Sequence, residues 1–252
     1  MTAAMRLPPA YRLVALGEVD SAIDEARLRA DAGADEGTLI WVSSQRKGRG
    51  RHGRHWHSPP GNLYMALILR PECPPREAGQ LAFVAALGVG GAIGALMPPM
   101  SEIAFKWPND ILLNERKVAG ILIETSISTP GRLDWMVLGI GVNVAQAPEG
   151  DAATSLRFDE GGPITIEETL EAFCRHFLVW VNRWRDDGFA PIRAAWLHHA
   201  QGIGAPATVR LANETVVGTF VDLDPDGALI VETANGYRRA ITAGDVFFGD
   251  GG

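Results

Sequence analysis

Hydrophobic positions with helical spacing alternate with short β-branched and aromatic runs along the first 200 residues of the chain. Helical spacing recurs in four segments, and Ser21 with Asp24 would form a capping box at the start of the first. Asn114-Glu115-Arg116 separates two of the β-rich runs and predicts a hairpin turn. The predicted helices cover residues 20–32, 77–96, 165–184 and 191–199. The predicted strands cover residues 38–43, 63–69, 103–106, 111–113, 117–126 and 135–144.

The pattern changes after Ala207, where short alternating strands are separated by turn dipeptides. Asp226-Gly227 and Asn235-Gly236 are typical of two-residue hairpin turns. A stretch of this kind predicts a small all-β barrel or sandwich. We therefore predict an α+β protein, in which a mixed sheet with helices covers residues 11–202 and a β domain covers 203–252.

Composition and charge narrow the classes of function. The 252 residues are 46% hydrophobic and 21% charged, which excludes a disordered chain. A net charge of −7 argues against general binding to nucleic acid. The two cysteines, Cys73 and Cys174, form neither a CxxC metal motif nor a disulfide scaffold. The sequence predicts neither a signal peptide nor a membrane span, so the expected location is the cytoplasm.

One segment reverses the acidic charge. Residues 45–57, here called the basic loop, contain five Arg and Lys side chains and no carboxylate. The rest of the chain therefore carries a net charge of −12, the −7 of the whole chain less these five positive charges. Three glycines would let the backbone approach a ligand, and the interleaved cations can neutralise a phosphate. This composition predicts a small anionic ligand, with a solvated or nucleic-acid-binding loop as the alternative.

The glycines of the basic loop also match the dinucleotide pattern G-x-G-x-x-G at Gly48, Gly50 and Gly53. That pattern must open a helix, and Trp56 with the prolines after it prevents one. The chain contains no G-x-x-x-x-G-K-[ST] phosphate loop. A Rossmann or P-loop site is therefore not expected.

Further polar residues lie at predicted strand ends. Asn109 and Asp110 follow a strand, where Asp110 could help to hold Mg²⁺ or a ribose hydroxyl. Lys117 begins the next strand, and Gly120 beside it would let a ligand lie against the backbone with the ammonium near its carboxylate and α-phosphate. Asn143 ends a glycine-containing strand and offers donors and an acceptor to a purine or phosphate. For each residue alone, an ordinary surface or core position is the alternative.

In order along the chain, these segments resemble the biotin–protein ligase family. Residues 45–56 match its Q-x-x-G-R-G-R-x-G-R-x-W signature, 106–110 its KWPND, 117–122 its K-[LV]-A-G-I-L and 139–143 its G-I-G-x-N. The resemblance covers nearly the whole chain and is to the short form without an N-terminal DNA-binding domain. It implies a mixed sheet like that of class II aminoacyl-tRNA synthetases, followed by an SH3-like β-barrel.

The resemblance implies an AMP-forming ligase that works in two half-reactions. Biotin and MgATP would give biotinyl-5′-adenylate, which would then acylate a lysine of a biotin carboxyl carrier domain of a carboxylase. Biotin, ATP and Mg²⁺ would enter as substrates, and no tightly bound cofactor is expected. DNA and membranes are not expected partners, and the sequence does not distinguish a monomer from a homodimer.

The resemblance also assigns roles to residues. Lys117 and Arg51 would be catalytic. The acid or its adenylate would contact Ser21, Gln45, Arg49, Gly50, Arg51, Lys117 and Gly120. The nucleotide would contact Arg54, Trp56, Asn109, Asp110 and Asn143, with Asp110 as the candidate Mg²⁺ ligand.

The chain departs from the family pattern at the first helix. The family usually has Ser-Thr-Asn there, whereas this chain has Ser21-Ala22-Ile23. Loss of polar contacts to the acid leaves a lipoate- or octanoate-type ligase as the alternative within the same chemistry. An octanoyl transferase would need a nucleophilic thiol, and neither cysteine is well placed to supply it. A nucleic-acid-binding protein that uses the basic loop is the alternative from another class.

Overall fold

A computed structural model describes residues 5–150, 152–158 and 163–249. Within these residues the chain forms four α-helices, twelve strands and two short 3₁₀ turns. The helices are α1 (Ala22–Asp31), α2 (Gln80–Leu96), α3 (Ile166–Asp187) and α4 (Phe189–His198). The first seven strands are β1 (Arg12–Val19), β2 (Thr38–Gln45), β3 (Leu63–Leu69), β4 (Ile103–Lys106), β5 (Asp110–Leu113), β6 (Arg116–Ser126) and β7 (Trp135–Val142). The last five are β8 (Pro206–Arg210), β9 (Thr215–Leu223), β10 (Leu229–Glu232), β11 (Arg238–Ile241) and β12 (Asp245–Phe248).

Strands β1 to β7 form one mixed sheet in the order β1-β2-β3-β7-β6-β5-β4. Only the β1–β2 pair is parallel, and the other neighbours are antiparallel. The interior strand β3 is buried on both faces, because Met65 and Leu67 join the core beneath α2 and α3 while Tyr64 and Ala66 join a smaller core beneath α1. A strand covered on both faces reads as a continuous apolar run, which is how the sequence predicted it.

Each helix and strand predicted in the first 200 residues is present, with ends shifted by a few residues. The hairpin turn is also present, at Asn114 and Glu115, which both have positive φ. Strand β1 was not predicted, because Gly17 and charged residues interrupt its apolar pattern. β1 lies at the edge of the sheet, where a strand needs only one paired neighbour.

The capping box predicted at Ser21 is wrong. Ser21 occupies the N-cap position of α1, but its side chain makes no capping hydrogen bond. The hydroxyl is buried and has no hydrogen-bond partner in the described part of the chain, and the N–H of Ala22 donates instead to Oε1 of Gln45 at 2.8 Å. A side chain from β2 has therefore taken the place of the local cap. At α3, by contrast, Thr165 and Glu168 form a complete capping box.

Strands β8 to β12 form a second, antiparallel sheet in the order β11-β10-β9-β8-β12. Its apolar side chains, among them Val209 and Phe220, belong to the same core as the first sheet. The indole N–H of Trp107 donates to the carbonyl of Gly227 at 3.1 Å and so ties the two sheets together. The predicted domain boundary at 202–203 falls between α4 and β8.

Helix α2 is the most apolar of the four helices in the described residues. Together with the 3₁₀ turn before it (Pro75–Leu96, 22 residues), it is long and apolar enough to cross a membrane by length and composition alone. Within the protein it is a core helix, because 67% of its most apolar 18-residue stretch is buried. Gly88 and Gly91 let α3 approach closely, since a Cβ at these positions would meet Phe177 at 3.1 Å and His176 at 2.6 Å.

Candidate active site

A cavity of about 470 Å³ lies between the first sheet, the basic loop and the second sheet. This volume falls within the usual range for sites that bind small molecules. Of the twelve site residues predicted from the sequence, all but Ser21 line the cavity. They are Gln45, Arg49, Gly50, Arg51, Arg54, Trp56, Asn109, Asp110, Lys117, Gly120 and Asn143.

The basic loop is fixed to the rest of the protein by ion pairs. Arg46 and Lys47 both contact Asp20, at 2.7 and 2.8 Å, and these hydrogen bonds lower the pKa of the Asp20 carboxyl. Arg49 contacts Asp24 and Glu124, each at 2.9 Å. The loop contains no acid of its own, so its ion pairs are made with carboxylates elsewhere in the chain, among them Asp24 of α1 and Glu124 of β6. It contains one 3₁₀ turn, Arg51–Gly53, and leads into β3 rather than a helix, as the sequence indicated.

Trp56 lies over two glycines of neighbouring strands. A Cβ at Gly120 of β6 would come within 3.0 Å of the indole ring, and one at Gly141 of β7 within 2.6 Å of its Nε1. The glycines are therefore needed for the indole to reach the sheet. The indole Nε1 is buried and has no hydrogen-bond partner among the described residues.

Lys117 points its ammonium into a cluster of charged and aromatic groups. Its Nζ is 2.6 Å from the Asp110 carboxylate and 5.3 Å from the centre of the Trp56 ring. Lys106 also lines the cavity, and burial lowers the pKa of its ammonium. Asn109 ties this turn to β6, since its side-chain amide donates to the carbonyl of Ile121 at 2.7 Å.

The end of the cavity next to α1 is largely apolar. Both polar ends of the Gln45 amide are occupied, by the N–H of Ala22 and by the Ser58 hydroxyl at 2.9 Å. The Ile23 side chain packs against Gly139, where a Cβ would lie 2.4 Å from Ile23 Cδ1. Ser21 is buried and does not line the cavity.

Asn143 has a structural contact as well as a place in the cavity wall. Its side-chain NH₂ donates to the carbonyl of Thr154 at 3.0 Å, and its backbone N–H donates to Val118 at 2.8 Å. The residue thus holds segment 152–158 against β6.

Two further expectations concern metal and thiol chemistry. Within the described residues, no group of three or more His, Cys, Asp or Glu side chains could hold a metal ion. Asp110 therefore offers a single carboxylate, which suits an Mg²⁺ that arrives on a nucleotide. Both cysteines lie outside the cavity, and burial raises the pKa of the Cys174 thiol to about 12.

Part of the cavity wall was not predicted. His55, His57, Tyr64 and Pro148 line it, and so do Asp245, Val246 and Phe247 from the second sheet. The alternating pattern of β12 gave no sign that its residues reach the basic loop, because they meet only through tertiary packing.

Sequence models of known families match nearly the whole chain. The model of the biotin/lipoate A/B protein ligase family matches residues 7–198, and that of the biotin protein ligase C-terminal domain matches 202–249. The chain is 40% identical over 241 residues to the biotin–[acetyl-CoA-carboxylase] ligase of Paracoccus denitrificans, which covers 93% of this chain and 99% of that protein. It is 32% identical to the ligase of the same name from Mycobacterium tuberculosis, over 86% of this chain and 82% of that one.

Solved structures show the same similarity. The biotin protein ligase of Aquifex aeolicus in complex with biotin and ATP superposes with a TM-score of 0.79 at 26% identity, over 94% of this chain and 99% of that one. The biotin protein ligase of Leishmania major in complex with biotinyl-5-AMP superposes with a TM-score of 0.60 at 28% identity, over 94% and 100% of the two chains.

Proposed function

This chain belongs to the biotin/lipoate A/B protein ligase family, and from that premise we propose that it is a biotin–protein ligase. It activates biotin with ATP as biotinyl-5′-adenylate and transfers the biotinyl group to a lysine of a biotin carboxyl carrier domain. The observation that supports this best is the cavity, in which ammonium, guanidinium and amide groups from four separate sequence motifs converge.

In the first half-reaction, a biotin carboxylate oxygen bonds to the α-phosphorus of ATP, and the bond to the β-phosphate oxygen breaks to release pyrophosphate with Mg²⁺. Two anions must approach each other, so cations beside them lower the barrier. We assign this role to Lys117 and Arg51. Asp110, 2.6 Å from Lys117, orients the ammonium and is the candidate Mg²⁺ ligand.

In the second half-reaction, the acceptor lysine amine attacks the acyl carbon of the adenylate. The carbon–oxygen bond to AMP breaks, AMP leaves, and the amine releases a proton to solvent. Until the acceptor arrives, the adenylate must be kept from water. The basic loop, which forms one wall of the cavity, is placed to cover it.

The finer features of the fold are part of this proposal. The first sheet would be of the class II aminoacyl-tRNA synthetase type and the second an SH3-like barrel, divided at 202–203. Five antiparallel strands in the second sheet are consistent with such a barrel. The net charge of −7 and the carboxylates that pair with the basic loop support an enzyme that binds neither DNA nor membranes, and a cytoplasmic location is part of the same proposal.

Pyrophosphate–ATP exchange with a panel of acids tests this function. We expect exchange that depends on biotin, followed by a mass increase of a carrier domain when that domain is added. Exchange with lipoate or octanoate alone would assign the protein to the other branch of the family. If no acid supported exchange, adenylation itself would be refuted.

One observation favours a second candidate, a lipoate- or octanoate-type ligase. Ile23 fills the space over Gly139, at the end of the cavity where a polar acid head would require hydrogen bonds. A longer apolar acid requires none there. The acid panel therefore includes lipoate and octanoate as competitors of biotin in the same assay.

A further inference from the structure

Asp245 is a cavity residue that lies 191 positions along the chain from the arginine it contacts most closely. Nη2 of Arg54 donates to both of its carboxylate oxygens, at 2.6 and 2.8 Å. Nη1 of Arg51 lies 3.8 Å from the same carboxylate and donates to the carbonyl of Gly244 at 3.1 Å. The start of β12 thus contacts both arginines of the basic loop that face the second sheet.

These contacts use one nitrogen of each guanidinium. Among the described residues, Arg54 is held through Nη2 and Arg51 through Nη1. A guanidinium carries five N–H groups in a fixed plane. The remaining N–H groups of both arginines are therefore left for another anion, and holding one edge fixes the direction of the rest.

The holding groups lie on a well-supported strand. β12 pairs with β8, so that Asp245 lies opposite Arg210. The backbone at Gly244 passes so close to β8 that a Cβ there would lie 2.9 Å from Leu211 and 3.0 Å from Val209. A residue with a Cβ here would have to displace these side chains, and the carbonyl of the glycine lies within reach of Arg51.

The burial of Arg51 strengthens its electrostatic interaction with the Asp245 carboxylate. Only 18% of the Arg51 side chain is exposed, and its burial lowers the pKa of the guanidinium, while the negative charge of Asp245 opposes that shift. A partly desolvated cation interacts more strongly with a nearby anion than an exposed one does. Asp245 therefore stabilises the charged arginine at the cavity wall before any ligand arrives.

We infer that Asp245 is a positioning residue for the nucleotide: from the second sheet it orients Arg51 and Arg54 so that their remaining N–H groups bind the phosphates of ATP. The inference rests on the proposed function. It gives the second sheet a direct part in the first half-reaction.

The variant Asp245→Asn keeps the shape of the side chain and removes its charge. In pyrophosphate–ATP exchange we expect the KM for ATP to rise ~5-fold, the size typical of a partly exposed ion pair. The KM for the acid should rise less, because Arg54, which Asp245 contacts most closely, is assigned to the nucleotide alone. The ratio of variant to wild-type KM should fall toward one as salt is raised, since salt screens the lost charge.

Two variants serve as controls. Asp245→Glu keeps the charge and should restore most of the ATP affinity. Glu214→Gln removes a charge that pairs with Arg239 on the same sheet, and neither residue lines the cavity. It should leave both KM values as they are. An unchanged KM for ATP in Asp245→Asn, or an equal rise in both KM values, would overturn the inference.

Direct calorimetric titration with ATP, in the absence of any acid, separates this inference from the proposed function. Weaker ATP binding by Asp245→Asn than by wild type supports the positioning role even if the preferred acid is not biotin. Equal ATP binding by the two proteins refutes it. Absence of acid-dependent exchange in the wild type would instead refute the proposed function.

Discussion

Lys117 is the residue on which the proposed chemistry depends most directly. Its ammonium lies beside Asp110 and Trp56 at the centre of the cavity. Because it would neutralise both reacting anions, Lys117→Ala should lower the rate of acid-dependent exchange by ~100-fold or more, the usual effect of removing a group that stabilises transition-state charge. The thermal midpoint should change little, since the side chain is one-third exposed.

Lys47→Ala is the matched control for this prediction. Its ammonium pairs with Asp20, its side chain is 74% exposed, and it does not line the cavity. Exchange by this variant should resemble that of wild type. Near-normal exchange by Lys117→Ala would contradict the role we assign to it.

Gly141 tests whether the position of Trp56 matters to binding. A Cβ at Gly141 would lie 2.6 Å from Trp56 Nε1 and 2.7 Å from the adjoining ring carbon, so Gly141→Ala must displace the indole. We expect the KM for ATP to rise ~10-fold, equivalent to about 1.4 kcal/mol of binding free energy. Gly79→Ala is the control, because nothing lies within 4 Å of its added Cβ. An unchanged KM for ATP in Gly141→Ala would show that the indole takes no part in binding the nucleotide.

The kinds of residue at the cavity could be predicted from the sequence, because most come from continuous motifs with recognisable spacing. The partners of those residues could not. Glu124 and Asp245 lie 75 and 191 residues from the arginines they contact, and no local pattern reports such pairs. At Ser21 a plausible local pattern is not realised, because the N–H of Ala22 donates to the side-chain oxygen of Gln45, which is distant in the sequence.

At the scale of elements, α1 and α3 offer a comparison of two N-caps. The Thr165 hydroxyl accepts the backbone N–H of Glu168 at 3.1 Å, whereas the Ser21 hydroxyl caps nothing. Thr165→Ala should therefore lower the free energy of unfolding by about 1 kcal/mol, while Ser21→Ala should lower it by much less. Urea unfolding of both variants measures the difference. Equal losses would show that the α3 capping box does not contribute as its geometry suggests.

The same capping box predicts a pH dependence. Hydrogen bonds from the backbone and side chain of Thr165 lower the pKa of the Glu168 carboxyl below its ordinary value. A carboxyl whose pKa is lowered by folding contributes stability above its unfolded pKa and loses it as pH falls through the folded value. Glu168→Gln should thus be less stable than wild type at neutral pH, and the two should converge in acid. Urea unfolding of both proteins from neutral to acid pH measures the difference in their free energies of unfolding. A difference that persisted in acid would contradict the prediction.

Elements with strong periodicity or continuous burial were predictable, whereas β1 was not. β1 pairs with β2, and the residues of β1 alternate only in part between exposed and half-buried positions. An edge strand of this kind is specified by the neighbour it joins more than by its own pattern. The contact between the second sheet and the basic loop could not be predicted either, because it also depends on residues that are distant in the sequence.

At the scale of the molecule, one core spans both sheets. Phe83 of α2 packs edge-on against Phe189 and Trp196, with ring centres 5.3 Å apart in each pair. It also packs against Gly227 of the second sheet, where an added Cβ would lie 2.7 Å from its ring. Phe83→Ala should therefore cost about 3–5 kcal/mol, and both sheets should still unfold in one transition. Calorimetry, compared with Val179→Ala at an exposed position, measures this. Two separate transitions would show that the sheets are independent units.

Helix α2 has a consequence for how the chain is made. It is an apolar helix of membrane length, and α3, which packs against it, ends about 90 residues later in the sequence. At typical synthesis rates the ribosome needs on the order of 5–20 s to reach that point. During this interval α2 is a nascent segment without its partner, and we expect chaperones that recognise apolar helices to bind it. Chains stalled after residue 150 should crosslink to such a chaperone more than chains stalled after residue 249, and equal crosslinking would refute the expectation.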